Sequence, residues 1–324
     1  MLEIFDCTLR DGGHALAGGF SAAGAAQVVR GLLDAGVRGI EFGRASGIGS
    51  PKGKVADEDY LKAVSPMFGE GEIGMFCRPD WYGDAQHALA TGYRLGFLRV
   101  GANCRKVEAS APVIERIRKA GIMVRYSLIE AHMLSPRELA ESAHKVESYG
   151  AQVVTIMDSA GTLLPAEVRD RVAALVDRVG IPVGFHGHNN LGLSIANALA
   201  ALEAGASSLD GALTGLARSA GNAPTEMLVT VLGKLGIDTG IDPFALFDFI
   251  DGGFREAVPA APAVPPLDIV YGMVGFHSRN LPVVEAVAAA EGVGVIRLIA
   301  ETAKGGGAID EAAAKAAAAR LRKA

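Results

Sequence analysis

A short β-like run followed by an amphipathic helical run recurs about every thirty residues. No other feature constrains the fold as tightly. The β-like runs fall at residues 3–8, 39–43, 73–77, 97–101, 124–128, 153–158, 182–188 and 208–214. Helical runs lie between them, at 21–35, 110–120, 135–150 and 165–179. Ser21, Ser110 and Ser135 sit where N-caps belong, and Gly36, Gly121 and Gly150 sit where helices should stop. Several of the β-like runs are continuously apolar, as strands covered on both faces are. Eight β-then-α units in series predict an α/β fold, a closed (β/α)8 TIM barrel over residues 1–240, in preference to an open doubly wound sheet. Beyond that point the pattern changes. A short helix is expected at 242–254, an extended Pro/Ala-rich run at 257–266, a helix at 281–290 and an alanine-rich helix at 308–324. Residues 241–324 thus form a C-terminal helical extension.

Composition narrows the class. Half of the 324 residues are apolar, too many for a disordered chain, and a net charge of −5 gives no basis for binding nucleic acid or an anionic membrane. The three cysteines Cys7, Cys77 and Cys104 lack a C-x-x-C spacing, which fits a reducing cytosol. The N-terminus has no basic region leading into a long apolar stretch, and no apolar run is long enough to span a bilayer. A cytoplasmic enzyme is expected.

Polar residues collect where strands should end and βα loops begin, the face on which such barrels carry their active sites. These are Arg10-Asp11, Glu41, Asn103, Asp158-Ser159, His186/His188 and Asn222. His186 and His188 stand out within Phe185-His186-Gly187-His188-Asn189-Asn190, because residues two apart on a strand point the same way. Hydrogen-bonded histidines at a strand end are the plainer reading. A pair at strand spacing at the expected barrel mouth favours a metal site, which needs a carboxylate or water to complete it. Asp6 and Asp11 are both within reach from strand one. Asp11 lies nearer the mouth and is the better candidate, with Asp6 in an orienting role. Such a set leaves positions open for Mn²⁺ or Mg²⁺ to chelate a 2-oxo acid, and Zn²⁺ or Co²⁺ would also bind it.

Around this cluster, Arg10 is suited to stabilise an enolate oxygen, and Glu41 is its natural partner. His14, in a glycine-flanked loop, reads either as an inert exposed histidine or, from its distance to Arg10 along the chain, as a general acid or base that would face the same pocket. Ser159 reads equally as a donor to a substrate carboxylate or as a turn cap, and Asn222 as a supporting ligand or a turn residue.

The runs Asp6-Cys7-Thr8-Leu9-Arg10-Asp11-Gly12 and His186-Gly187-His188-Asn189-Asn190 resemble the metal-dependent TIM-barrel lyase and synthase superfamily, the hydroxymethylglutaryl-CoA lyase-like proteins. Gly12-Gly13-His14-Ala15, Met157-Asp158-Ser159-Ala160-Gly161 and Ala220-Gly221-Asn222-Ala223-Pro224 are similar to its 4-hydroxy-2-oxovalerate aldolase branch. The resemblance covers the presumed barrel. It implies Asp11, His186 and His188 as ligands of a divalent ion, typically manganese. Arg10 would stabilise the pyruvate enolate, His14 would serve as acid/base and Ser159 would contact the pyruvate moiety. The implied reaction is retro-aldol cleavage of a 4-hydroxy-2-oxo acid to pyruvate and an aldehyde, with an acylating aldehyde dehydrogenase as partner.

The chain also departs from that pattern. Phe276 aligns with a tyrosine that lines the aldehyde side of the family's pocket, Arg218 replaces a small residue, and the C-terminal region is shorter. An acyl-CoA-dependent Claisen synthase is the alternative activity, but the long regulatory domain common in those synthases is missing. A CoA-ester lyase fits less well, because residues 215–222 lack that group's cysteine. A non-catalytic scaffold would not keep all three ligands. Apolar surface on the extension suits a homodimer.

Overall fold

The computed structural model describes residues 2–51, 53–258, 266–306 and 309–323. Eight parallel strands close into a barrel in sequence order. They are β1 (Glu3–Asp6), β2 (Gly39–Phe42), β3 (Glu72–Cys77), β4 (Phe97–Asn103), β5 (Met123–Ile129), β6 (Val153–Asp158), β7 (Val183–Gly187) and β8 (Ser208–Gly211). Closure comes from β8 pairing with β1 in the register Phe5 to Asp210 and Asp6 to Gly211.

The barrel helices are α1 (Ala22–Asp34), α2 (Asp57–Val64), α3 (Asp84–Gly92), α4 (Ala111–Lys119), α5 (Pro136–Ser148), α6 (Pro165–Arg178), α7 (Ser194–Glu203) and α8 (Thr225–Lys234). Ser21 caps α1 by accepting the Gly24 N–H, and Ser135 closes a reciprocal capping box with Glu138. Ser110 does not cap α4; its hydroxyl bonds that of Tyr126 at 2.9 Å. Polar side chains there serve a neighbouring strand, and Pro112 starts the helix instead.

Side chains alternate across each strand, so one set of each strand points into the barrel. The inner set is unusually charged for a position that branched aliphatic residues normally fill. At the N-terminal end Arg125 meets Glu3 at 2.5 Å and Glu72 at 2.6 Å, its guanidinium lying over the Phe5 and Phe97 rings at 4.6 and 5.4 Å. One layer up, Arg99 meets Asp210 at 2.7 Å. The aliphatic core lies between strands and helices.

The extension holds α9 (Pro243–Phe249), α10 (Pro266–Val274), α11 (Leu281–Glu291), α12 (Val295–Ala303) and α13 (Glu311–Leu321). Leu246, Ile250, Phe254 and Val258 pack into the barrel's own core. Phe249 lies so close to Gly31 that any Cβ there would meet the ring at 2.5 Å. A second core holds Tyr271, Phe276, Val284, Leu298, Ile299 and Ala314. Helix α13 packs there through small side chains, so the alanine-rich stretch is an integral helix. Helix α10 begins at the end of the Pro/Ala-rich run expected to be extended, because a proline is tolerated in a first turn; residues 259–265 of that run lie outside the described residues. No helix among the described residues is long and apolar enough to cross a membrane.

The Arg125 cluster lies at the end of the barrel opposite the site described below, where side chains serve stability. Replacing Arg125→Met strands two carboxylates, which remain 28% and 33% exposed. Urea titration should show a loss of about 2–3 kcal/mol, below the full cost of breaking a wholly buried pair because water reaches both acids. A change under about 0.5 kcal/mol, the scale of an exposed pair, would contradict this reading.

Candidate metal centre and pocket

Strand β7 carries His186 in its interior-facing set, and His188 follows two residues on, so both imidazoles turn to one side of the mouth. Each ring is fixed by the nitrogen that faces away from the cavity. His186 Nδ1 donates to Asp210 Oδ2 at 3.0 Å, and His188 Nδ1 donates to the Gly221 carbonyl at 3.2 Å. These bonds leave both Nε2 lone pairs free as ligands. The two Nε2 atoms lie 3.5 and 3.6 Å from the same oxygen, Asp11 Oδ2. Two imidazole nitrogens and one carboxylate oxygen at such spacing suit one divalent ion.

The chemistry of the donors agrees with the geometry. Burial works against the Asp11 charge, but Arg10, His186, His188 and Arg218 outweigh it and hold the carboxyl well below its usual range. Burial, and then Arg218, push His188 well below the ordinary imidazole value, leaving a neutral ring. His186 is drawn upward by Asp11 and Asp210 against burial, so a proton and a cation compete for it. Asn222 holds Asp11 Oδ2 through Nδ2 at 3.0 Å, and its own Oδ1 is buried with no protein partner.

Cys7, His186 and Asp210 form a second grouping of ligand-type atoms. It does not fit a metal. Burial raises the Cys7 thiol far above its normal range, the thiol donates to the Gly211 carbonyl at 3.1 Å, and Asp210 is committed to Arg99. Asp6 stays outside the ligand cluster. It accepts the Thr8 N–H at 2.9 Å and the Thr225 hydroxyl at 2.7 Å, tying the end of β1 to the start of α8.

Arg10 and Asp11 sit in a helical turn, Thr8–Asp11, directly after β1. Arg10 donates from Nε to Glu41 Oε2 at 2.6 Å and from Nη1 to Asp11 Oδ1 at 2.9 Å, above the Phe76 ring at 5.0 Å. Its Nη2 is buried and unpaired. His14 ends the next turn and lines the same cavity. That cavity, about 440 Å³, is also lined by Ser159, Trp81, Arg218 and the segment His277, Ser278 and Arg279 from the extension. The Ser159 hydroxyl accepts the Glu130 N–H at 2.9 Å and reaches the Met157 carbonyl at 3.4 Å.

The sequence reading misplaced one residue. Phe276, expected at the aldehyde side, is buried and stacks on Tyr271 with ring centroids 5.0 Å apart, while His277 lines the cavity. Gly275, at φ 70°, sets the turn that decides which neighbour faces in. His277 Nδ1 accepts the Arg279 N–H at 3.1 Å, and burial, with Arg218 and Arg279, pushes its pKa down to about 2. Asp210 and Arg99, which support His186, were missed altogether. An arginine within the apolar run Phe97-Leu98-Arg99-Val100 was the available signal, since a buried cation demands a partner.

The chain is thus a TIM barrel with two imidazoles and a carboxylate converging at the C-terminal ends of its strands as a candidate metal site. The family model described as HMGL-like matches residues 1–251, and the chain belongs to that family. It is 37% identical over 280 residues to a 4-hydroxy-2-oxovalerate aldolase from Serratia proteamaculans, covering 85% of this chain and 84% of that one. It is 38% identical over 296 residues to a protein of the same name from Streptomyces griseus, covering 90% and 87%. In fold it is similar to the carboxyl transferase domain of Rhizobium etli pyruvate carboxylase, with a TM-score of 0.78 at 16% identity, covering 99% of this chain and 60% of that one.

Asp210→Asn keeps an acceptor for the His186 N–H but removes the charge that Arg99 and the imidazole share. Metal titration should show affinity weakened by about 10- to 100-fold, the usual cost of losing a partner behind a ligand. Wild-type affinity in this variant would show that Asp210 does not orient the ligand.

Proposed function

We propose that the chain is a divalent-metal-dependent class II aldolase. It is a carbon–carbon lyase that cleaves a 4-hydroxy-2-oxo acid, 4-hydroxy-2-oxovalerate or a relative, to pyruvate and an aldehyde. The observation that carries this reading is the meeting of Asp11, His186 and His188 with Arg10 and His14 at one cavity. Asp11, His186 and His188 would hold the ion, proposed as Mn²⁺, with Mg²⁺, Co²⁺ and Zn²⁺ as alternatives. When bound, that ion supplies a Lewis acid beside the 2-oxo group.

The chain's own groups do the rest. Arg10, which lines the cavity, offers its guanidinium to the negative charge that develops on the 2-oxo oxygen, and Glu41 and Asp11 keep it from turning away. His14 takes the proton of the C4 hydroxyl. The C3–C4 bond breaks, its electron pair forms the enolate of pyruvate, and the aldehyde leaves. Return of a proton to C3 completes pyruvate. Ser159 lines the same cavity and is proposed to contact the pyruvate moiety.

A cytoplasmic location is supported by three unpaired cysteines, all buried. Exposed Phe244, Val283 and Ile296 on the extension support a homodimer or an acylating aldehyde dehydrogenase as partner.

The test is pyruvate release from 4-hydroxy-2-oxovalerate and longer homologues with Mn²⁺, coupled to lactate dehydrogenase. His14→Ala should lower kcat by about 10²- to 10⁴-fold while metal content stays at the wild-type level. If no pyruvate forms, but free CoA appears from acetyl-CoA and a 2-oxo acid, the chain is a synthase instead.

A further inference from the structure

Four arginines line the cavity: Arg10, Arg78, Arg218 and Arg279. Three of them have a carboxylate partner. Arg10 has Asp11 and Glu41, Arg78 has Asp80 at 3.1 Å, and Arg279 has Glu130. Arg218 differs. Its Nη2 donates to the Ser159 carbonyl at 2.9 Å and its Nη1 to the Ser278 hydroxyl at 3.4 Å, and no carboxylate among the described residues is paired with it. A guanidinium has five N–H donors in a planar fork, so most of its capacity is left for something else. Asp11 and Glu130 act on Arg218 through space without pairing with it, and a bound carboxylate would add the charge-assisted bonds that neither of them makes.

The loop around Arg218 is built to hold it. Ser219 adopts φ 58° and Gly221 φ 85°, and Ser219 Oγ accepts from Asn190 Nδ2 at 2.8 Å. The Arg218 carbonyl accepts the Gly221 N–H at 3.1 Å. A non-glycine residue held in the left-handed region persists only where its surroundings fix it. The loop also carries Asn222, which holds Asp11, so Arg218 is registered to the ligand cluster through one short segment. Ser159, the residue expected to meet the substrate carboxylate, has its hydroxyl engaged by the Glu130 N–H, and its carbonyl steadies Arg218.

We infer that Arg218 is the carboxylate-binding residue of this pocket, the guanidinium that grips a carboxylate of the 2-oxo acid. The inference rests on the 2-oxo acid reading of the site. The carboxylate has two sources: C1 of the pyruvate moiety, or an acidic group on the aldehyde fragment. The loop's hold on Asp11 through Asn222 places Arg218 by the ligand cluster and favours C1.

Pyruvate binding to the Mn²⁺-loaded protein, followed by calorimetry, separates these cases without needing turnover. Arg218→Met and Arg218→Gln should weaken pyruvate binding by about 10- to 100-fold, the scale of a lost hydrogen bond to a charged group, with metal content and melting temperature retained. Two variants guard against one failing to fold. If pyruvate binding is unchanged, but both variants lose a wild-type preference for substrates whose aldehyde fragment carries a carboxylate over uncharged homologues, Arg218 serves the distal group. If neither property changes, or if the wild-type protein does not bind pyruvate, the inference is overturned. Wild-type protein that binds pyruvate through Arg218 yet cleaves no 4-hydroxy-2-oxo acid would sink the aldolase reading and leave this one standing.

Discussion

Six buried side chains form a closed circuit on which the site depends. Asp11 meets Arg10, Arg10 meets Glu41, Glu41 lies 3.9 Å from Arg99, Arg99 meets Asp210, Asp210 takes the His186 N–H, and His186 returns to Asp11. Three carboxylates alternate around it with two guanidiniums and one imidazole. Any one of these charges alone in a barrel interior would cost several kcal/mol, so none is tolerable without its neighbours. The circuit draws on β2, β4, β7, β8 and the turn after β1, and therefore forms only when the barrel has closed in the right register.

That dependence links fold to chemistry. A barrel filled with aliphatic side chains would be a stable plug. Here the charged layers hold two imidazoles and a carboxylate in place before anything binds, so little reorganisation accompanies ligand capture. The mouth is completed by a segment from outside the barrel. His277, Ser278 and Arg279 reach the cavity because the second core anchors the helices on either side of them. The extension thus contributes part of the wall of the pocket.

Much of this was legible in the residues themselves. The strands emerged from short apolar runs and the helices from their caps, because both patterns are local. His186 and His188 were legible because strand alternation puts them on one side, and Arg10 with Glu41 because a buried acid needs a cation. Asp210 and Arg99 were not, since their meaning lies in a contact between strands far apart in sequence. His277 was missed because a one-residue shift in a turn exchanges inside for outside, and alignment alone placed Phe276 there. The packing of the alanine-rich helix was hidden as well, because small side chains leave little periodic signal until a partner surface is known.

The central claim is that one divalent cation is shared by Asp11, His186 and His188. Crystals grown with Mn²⁺ and measured on both sides of the manganese absorption edge test it most directly. A single anomalous peak within bonding distance of Asp11 Oδ2 and both Nε2 atoms is the predicted result. A peak at the Cys7 side of His186, or ordered density in which those three atoms bind no metal at saturating Mn²⁺, would contradict it.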